Sequence, residues 1–170
     1  MAAPLPDGDR QAAELIAALT RRGETVAAAE SLTAGLVCAT LARVPGASAA
    51  LRGGLVVYAT ELKSRLAGVD AGLLAEHGAV HPEVAAQLAE GARDRCGATW
   101  GLGLTGVAGP SAQDGVAPGT VHVGLAGPGI RTVRTLALDG NRDLIRTESV
   151  RAAFALLGEH LGGNRRSPLA

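Results

Sequence analysis

The chain has 170 residues, of which 16 are basic and 16 acidic, so its formal net charge at pH 7 is zero. This balance argues against nucleic-acid binding, which needs a clustered excess of Lys and Arg, and no apolar stretch reaches the ~18 residues of a membrane span. Because the first ten residues lack the apolar segment of a signal peptide, we expect a single-domain cytoplasmic protein in which Cys38 and Cys96 are reduced core thiols.

Helical and strand patterns alternate along the chain. Apolar residues three or four apart predict helices, and short apolar or β-branched runs predict strands. In chain order the predicted elements are a helix over 9–22, a strand over 25–29, a helix over 32–43, a strand over 55–58, helices over 61–66, 71–76 and 81–96, strands over 98–104, 120–125 and 130–138, and a helix over 141–161. His81 is the predicted cap of the long helix, with Pro82 at its first position.

This alternation predicts an α/β fold, a three-layer α/β/α sandwich around a five-stranded sheet. Helical crossovers imply parallel pairing, whereas the short link over 126–129 implies an antiparallel hairpin of the last two strands. The sheet is therefore expected to be mixed and mostly parallel. Residues 9–161 form the predicted domain, with an N-terminal extension over 1–8 and a flexible tail over 162–170.

Polar residues follow three of the predicted strands, at the edge where open α/β sheets bind ligands. Ser31 follows the first strand, Tyr58 with nearby Lys63 follows the second, and Thr105 begins a glycine loop after the third. We expect the three strand ends to face one crevice. The loop suits a close approach of backbone to ligand, although such loops are also simple turns.

Lys63 is the only lysine, against 15 arginines, and it lies five residues after the only tyrosine. A lysine can lose its proton in a protein, whereas an arginine cannot. No histidine follows a strand into the crevice, so Lys63 is the candidate base for a nucleophilic Ser31. Tyr58 would relay the proton or hold the lysine; alternatively, it is an apolar ring with a solvated hydroxyl at a sheet edge. The other interpretation of the lone lysine is chance.

Two further positions carry alternative interpretations. At a strand-to-helix junction Ser31 would be activated beside helix amides, or it would simply be a helix N-cap. Arg142 and Arg146 lie one helical turn apart and share a face, so they would grip a phosphate or carboxylate. Their alternative partners are surface acids, namely Asp139, Asp143 or Glu148. No residue cluster has metal-ligand spacing, so we predict no metal and no cofactor.

Several short motifs, in the same order, carry a resemblance to a known family. They are Ala29-Glu30-Ser31-Leu32-Thr33-Ala34-Gly35, Val44-Pro45-Gly46-Ala47-Ser48, Tyr58 through Lys63, Thr105-Gly106-Val107-Ala108-Gly109-Pro110, Pro118-Gly119-Thr120-Val121, and Gly140-Asn141-Arg142 with Arg146. In these motifs, over about residues 9–161, the chain resembles the CinA C-terminal domain family. The resemblance implies a nicotinamide-nucleotide amidohydrolase, which converts nicotinamide mononucleotide to nicotinate mononucleotide and ammonia, in its stand-alone form and as a homodimer.

The same resemblance implies roles for individual residues. Ser31, Lys63 and Tyr58 form the expected reactive group, and Ser48 is the second candidate for the nucleophile. The expected substrate-binding residues are Glu30, Thr33, Gly35, Ser48, Thr105, Gly106, Gly109, Arg142 and Arg146. The chain departs from the family pattern at Ala59-Thr60 and at Ser111 to Asp114, which leaves the substrate preference open. Two other functions also stay open: a non-catalytic module that binds a pyridine nucleotide or a protein, and an amidase for another small amide.

Overall fold

The structure, a computed structural model, describes residues 7–162. Its elements are α1 (Asp7–Arg22), β1 (Val26–Glu30), α2 (Leu36–Ala42), a 3-10 helix (Ala47–Ala49), β2 (Leu51–Val56), α3 (Thr60–Ala67), α4 (Ala71–His77), α5 (Pro82–Cys96), β3 (Trp100–Gly106), β4 (Thr120–Gly127), β5 (Ile130–Ala137) and α6 (Arg142–Gly162). The predicted extension over 1–8 and tail over 162–170 lie outside the described residues, apart from residues 7, 8 and 162.

The five strands form one mixed sheet in the order β2-β1-β3-β4-β5. β1 pairs in parallel with β2 and β3, whereas β3 with β4 and β4 with β5 are antiparallel. The expectation of a mostly parallel sheet is therefore wrong, since the two kinds of pairing are equally frequent. The reason lies in the loop after β3. Its base is closed by backbone hydrogen bonds from Gly119 N to Val107 O and from Val107 N to Thr120 O, so β4 turns back on β3 with no helical crossover.

Helices pack on both faces of this sheet, as alternate residues of β1 demonstrate. Val26 and Ala28 belong to an apolar cluster with α1, α2 and α6. Ala27 and Ala29 belong to a second cluster, with α3, α4 and α5. All four side chains are fully buried, so β1 is apolar from Val26 to Ala29, and its one polar residue, Glu30, lies at the carboxyl end of the strand.

Glycines on β3 and β4 allow α5 to lie against the sheet at short distance. A Cβ at Gly103 would lie 2.4 Å from the carbonyl oxygen of Ala85, and one at Gly124 would lie 2.2 Å from the same oxygen. Side chains at these positions are sterically excluded. The close packing brings the segment before α5, residues 78–81, beside the carboxyl end of β3.

Two element boundaries differ from the predicted ones. α2 begins at Leu36, not at residue 32, because Ala34 (φ 47°) and Gly35 (φ 100°) adopt left-handed backbone conformations that a helix cannot include. β2 covers Leu51–Val56, not 55–58. Its glycines disfavour a strand by propensity, and its extended conformation follows from pairing with β1.

The structure also shows how apolar the helices are and whether the two cysteines are bonded. Within residues 7–162, no helix has both the length and the apolar character that a bilayer crossing requires. Cys38 and Cys96 are free thiols, and burial raises the pKa of Cys38 to about 12. This thiol is therefore protonated at neutral pH.

Candidate functional site

A cavity of about 320 Å³ opens at the carboxyl edge of the sheet. It is lined by Ser31 and Leu32 after β1, Tyr58 after β2, Ala79 and Val80 before α5, residues 105–109 and 111–113 after β3, and Arg142 at the start of α6. A larger groove of about 490 Å³ lies between α1 and α6, but none of the predicted site residues lines it. We therefore assign the site to the smaller cavity.

Ser31 is the first residue beyond β1, and its position is fixed by the sheet. Its backbone N–H donates to Leu104 O at 3.0 Å, and the residue is 8% exposed at the cavity wall. The N-cap interpretation of Ser31 is wrong, because the cap of α2 is Gly35 and no side chain serves as a cap there. The hydroxyl of Ser31 is thus available to the cavity.

Lys63 is buried inside the protein, in α3, with 1% of its surface exposed. Its Nζ donates to Val57 O at 2.9 Å and to Tyr58 O at 3.2 Å. Burial lowers the pKa of the ammonium to about 8, against a smaller opposing effect of Glu61. Two carbonyls thus hold Lys63 behind the segment that carries Tyr58, and its hydrogen bonds go to that segment rather than to Ser31.

Tyr58 and Arg142 meet at the mouth of the cavity. Arg142 donates from Nη2 to the phenolic oxygen of Tyr58 at 2.8 Å and from Nη1 to Gly109 O at 2.8 Å. Both side chains are exposed, so they remain accessible to a ligand that enters from solvent. None of the ion pairs considered for Arg142 from the sequence, with Asp139, Asp143 or Glu148, is formed; its partners are Tyr58 and Gly109.

Thr105 and the glycines after it form the floor. Thr105 is 1% exposed, and its hydroxyl donates to Ala79 O at 2.7 Å. This bond ties β3 to the segment before α5. A Cβ at Gly106 would lie 2.8 Å from Thr120 O, and Gly109 has φ +84°, so the loop requires glycine at both positions.

Four of the expected substrate-binding residues lie just behind the cavity rather than in its lining. Both carboxylate oxygens of Glu30 accept hydrogen bonds from the first turn of α2. Arg146 donates to the carbonyls of Leu32 and Thr33. Thr33 itself is fully buried, and Gly35 is the backbone cap of α2.

The structure places Ser48, the second candidate nucleophile, at the other end of the sheet. It is exposed, in the 3-10 helix that precedes β2. β1 and β2 are parallel, with Val26 opposite Leu51 and Glu30 opposite Val56. Ser48 therefore lies beyond the amino ends of these strands, whereas Ser31 lies beyond the carboxyl end of β1.

One part of the lining was missed by sequence reasoning. Ala79 and Val80 had no signal of their own, since the packing of α5 on the sheet and the hydrogen bond from Thr105 place them at the site. Residues 111–113 also line the cavity, and they belong to the segment, Ser111 to Asp114, at which the chain departs from the family pattern.

The electrostatics of the lining are simple. Among residues 7–162, Arg142 is the only charged side chain that lines the cavity. No group of three His, Cys, Asp or Glu residues within that range could hold a metal ion. The arrangement suits a ligand with an anionic end at the mouth and an uncharged group near Ser31 and Thr105.

Comparisons of sequence give a consistent result. A family profile described as the CinA C-terminal domain matches residues 9–161. The chain is 52% identical over 145 residues to a CinA-like protein of Frankia casuarinae, covering 85% of this chain and 34% of that protein. A CinA-like protein of Anaeromyxobacter sp. is 48% identical over 153 residues, with 89% and 38% covered. The chain thus spans about a third of the length of these curated relatives.

Solved structures share the fold over most of the chain. A competence/damage-inducible protein from Agrobacterium tumefaciens superposes with a TM-score of 0.88 at 31% identity, covering 95% of this chain and 99% of that one. A CinA superfamily protein from Klebsiella pneumoniae gives a TM-score of 0.89 at 28% identity, with 93% and 99% covered.

Proposed function

The chain belongs to the CinA C-terminal domain family, and we propose that it hydrolyses the carboxamide of nicotinamide mononucleotide to give nicotinate mononucleotide and ammonia. One observation carries the proposal. A buried lysine with a pKa lowered to about 8 lies behind a cavity that joins the Ser31 hydroxyl to a single cationic side chain, Arg142.

In the proposed mechanism Ser31 is the nucleophile and Lys63 the base. Neutral Lys63 takes the proton of Ser31 as Oγ attacks the carboxamide carbon, with Tyr58 relaying the proton or holding the lysine. The C–N bond then breaks, and the ammonium of Lys63 returns the proton to the leaving amide nitrogen, which departs as ammonia. Water then attacks the acyl-enzyme and gives a proton to Lys63, which returns it to Ser31 Oγ as the ester bond breaks; the carboxylic acid leaves, and Ser31 and neutral Lys63 are restored.

The rest of the lining would bind the substrate. Arg142 would receive the phosphate at the mouth, where its guanidinium can make two parallel hydrogen bonds. Backbone amides near Ser31 and in the Thr105-Gly106 loop would stabilise the oxyanion. Val80 and Val107, both buried and both in the lining, offer apolar contacts to the pyridine ring.

The test is ammonia release from nicotinamide mononucleotide by the purified protein, measured beside Lys63→Arg. The variant keeps a positive charge but cannot act as a base. We expect activity in the parent and none in the variant, with circular dichroism establishing that both are folded. A folded parent that releases no ammonia would contradict the proposal, and a Ser31→Ala variant with full activity would contradict the choice of nucleophile.

A second candidate function is a binding module without turnover. The observation that favours it is the position of the Lys63 amine, which is bonded to two backbone carbonyls and not to Ser31. Calorimetry with nicotinamide mononucleotide would detect binding without ammonia release. If a different amide is hydrolysed instead, a panel of small amides with and without a phosphate would identify it.

We also propose that the protein assembles as a homodimer. The support is the family resemblance alone. Light scattering combined with size-exclusion chromatography measures the mass in solution directly. We expect twice the mass of the 170-residue chain, which is 17.0 kDa; a monomeric mass would contradict this part of the proposal.

A further inference from the structure

The turn that carries Ser31 is held by two side chains of opposite charge. It covers residues 31–35, between the end of β1 and the start of α2. Glu30 precedes the turn in sequence, and Arg146 reaches it from α6. Neither side chain lines the cavity. Glu30 directly precedes Ser31, however, and Arg146 bonds to the two residues that follow it.

Glu30, which directly precedes the turn, binds the first turn of α2, which directly follows it. Oε1 accepts from Val37 N at 2.8 Å and Oε2 accepts from Cys38 N at 3.2 Å. Glu30 is 1% exposed, so the carboxylate is withdrawn from solvent and uses the unpaired amides of a helix N-terminus as partners. Both of its oxygens are occupied by the protein itself.

Arg146 fixes the middle of the turn. Its Nε donates to Leu32 O at 2.9 Å and its Nη2 donates to Thr33 O at 3.2 Å. These two carbonyls belong to consecutive residues directly after Ser31. The planar guanidinium has the right geometry for such a pair of bonds, whereas a lysine ammonium does not.

The turn needs support of this kind because its backbone is unusual. Ala34 has φ 47°, a left-handed conformation that is disfavoured for a residue with a side chain. Such a residue persists only where the surrounding contacts determine its conformation. Within the turn itself the backbone supplies the hydrogen bond from Ala34 N to Ser31 O, and at its end Leu36 N, the first residue of α2, donates to Thr33 O.

We propose that Glu30 and Arg146 are positioning residues, which together fix the 31–35 turn and so orient the Ser31 hydroxyl without touching the substrate. The kinetic part of this inference rests on the proposed function, in which Ser31 is the nucleophile. The structural part does not depend on it. Each part therefore has its own experiment.

The structural experiment is amide hydrogen exchange, followed by NMR, on Glu30→Gln, Arg146→Lys and Arg146→Ala. Four amides report on the turn, since each has a specific acceptor there or on Glu30: those of Ala34, Leu36, Val37 and Cys38. We expect faster exchange at these amides, by about tenfold or more, with the core strands unchanged. The matched controls are Glu159→Gln and Arg134→Ala, which break an exposed ion pair and should leave the four amides unchanged. Unchanged exchange in the Glu30 and Arg146 variants overturns the inference.

The kinetic experiment separates positioning from substrate binding. A misplaced nucleophile lowers kcat while the affinity for substrate is kept. We expect kcat to fall about tenfold or more in Glu30→Gln and in Arg146→Ala, with KM within about threefold of the parent value. Guanidinium ion added to Arg146→Ala should restore part of kcat, an effect that a loss of global stability alone would not produce. A raised KM with unchanged kcat would mean that these residues bind substrate, and would overturn the inference.

The two residues are also expected to act through one element. In the double variant Glu30→Gln/Arg146→Ala, kcat should fall by less than the product of the two single effects. The reason is that either substitution alone already loosens the same turn. If the two effects on kcat multiply in full, Glu30 and Arg146 do not act through one turn, and this expectation is wrong. If the parent hydrolyses no nicotinamide mononucleotide, the proposed function fails, and the exchange rates alone decide whether these residues hold the turn.

Discussion

Arg142 donates a hydrogen bond to the phenolic oxygen of Tyr58 at 2.8 Å, although 84 residues separate them in sequence. The bond joins the first turn of α6 to the segment after β2. The same guanidinium reaches the carbonyl of Gly109, beyond β3. One side chain therefore connects three segments around the mouth of the cavity.

We predict that Arg142→Ala raises KM for nicotinamide mononucleotide about 10- to 100-fold, with a smaller effect on kcat. The reason is that a hydrogen bond to a charged group contributes about 1.5–3 kcal/mol. Steady-state ammonia release measures both constants. Nicotinamide riboside, which lacks the phosphate, should be hydrolysed equally well by the variant and the parent.

The control for this prediction is Arg134→Ala, which removes a partly exposed arginine on β5 that pairs with Glu159. Its KM should equal that of the parent. If Arg142→Ala loses as much activity on the riboside as on the nucleotide, Arg142 does not act through the phosphate.

The activity is expected to rise with pH through about 8. Burial lowers the pKa of Lys63 to that value, so below it the lysine is protonated and cannot accept the proton of Ser31. The neutral fraction increases tenfold per pH unit well below the pKa and levels off above it. The measurement is kcat/KM from pH 6 to 10, which reports the ionisation in the free enzyme; a profile that is flat or falling from pH 7 to 9 argues against Lys63 as the base.

A glycine-to-alanine pair tests the close packing of α5. A Cβ at Gly91 would lie 1.9 Å from Ala67 O, so Gly91→Ala must displace α3 or α5 and should destabilise the protein by about 2 kcal/mol or more. At Gly158, in α6, the nearest atom is a Leu15 methyl carbon at 3.7 Å, an ordinary contact. Gly158→Ala should therefore stabilise by about 0.5–1 kcal/mol, through helix propensity.

Thermal or urea unfolding, followed by circular dichroism, measures both effects. The two variants introduce the same methyl group into a helix interior, so propensity alone predicts equal gains. Equal gains would contradict the tight contact between α3 and α5.

We expect the hydroxyl of Thr105 to be required both for the stability of the protein and for its activity. Thr105→Val keeps the shape but leaves the buried carbonyl of Ala79 without its donor, which should cost about 1–3 kcal/mol of stability. It also shifts the cavity wall formed by Ala79 and Val80, so catalytic efficiency should fall. Thr105→Ser retains the donor and should keep most of the activity. Similar efficiency in the two variants would show that the hydrogen bond does not matter to the site.

Several features of the fold were accessible to sequence reasoning because they are local. The helix over 81–96 was predicted within one residue, and its cap is confirmed, since His81 Nδ1 accepts from Glu83 N at 3.1 Å. Pro82 and the apolar spacing are properties of the segment itself. β2 was displaced in the prediction because its glycines carry no strand signal and only pairing with β1 extends them.

The sequence by itself determined that Ser31, Tyr58 and Thr105 would converge, because residues at or just beyond the carboxyl ends of neighbouring parallel strands meet at one edge of a sheet. The sequence could not show that Arg142 and Arg146 have different partners. The two arginines share one helix face, yet the first reaches the cavity mouth and the second bonds to carbonyls 114 and 113 residues away. Only the tertiary structure made that distinction, because side-chain partners distant in sequence depend on how α6 packs, and helical periodicity specifies the face of a helix but not what lies against it.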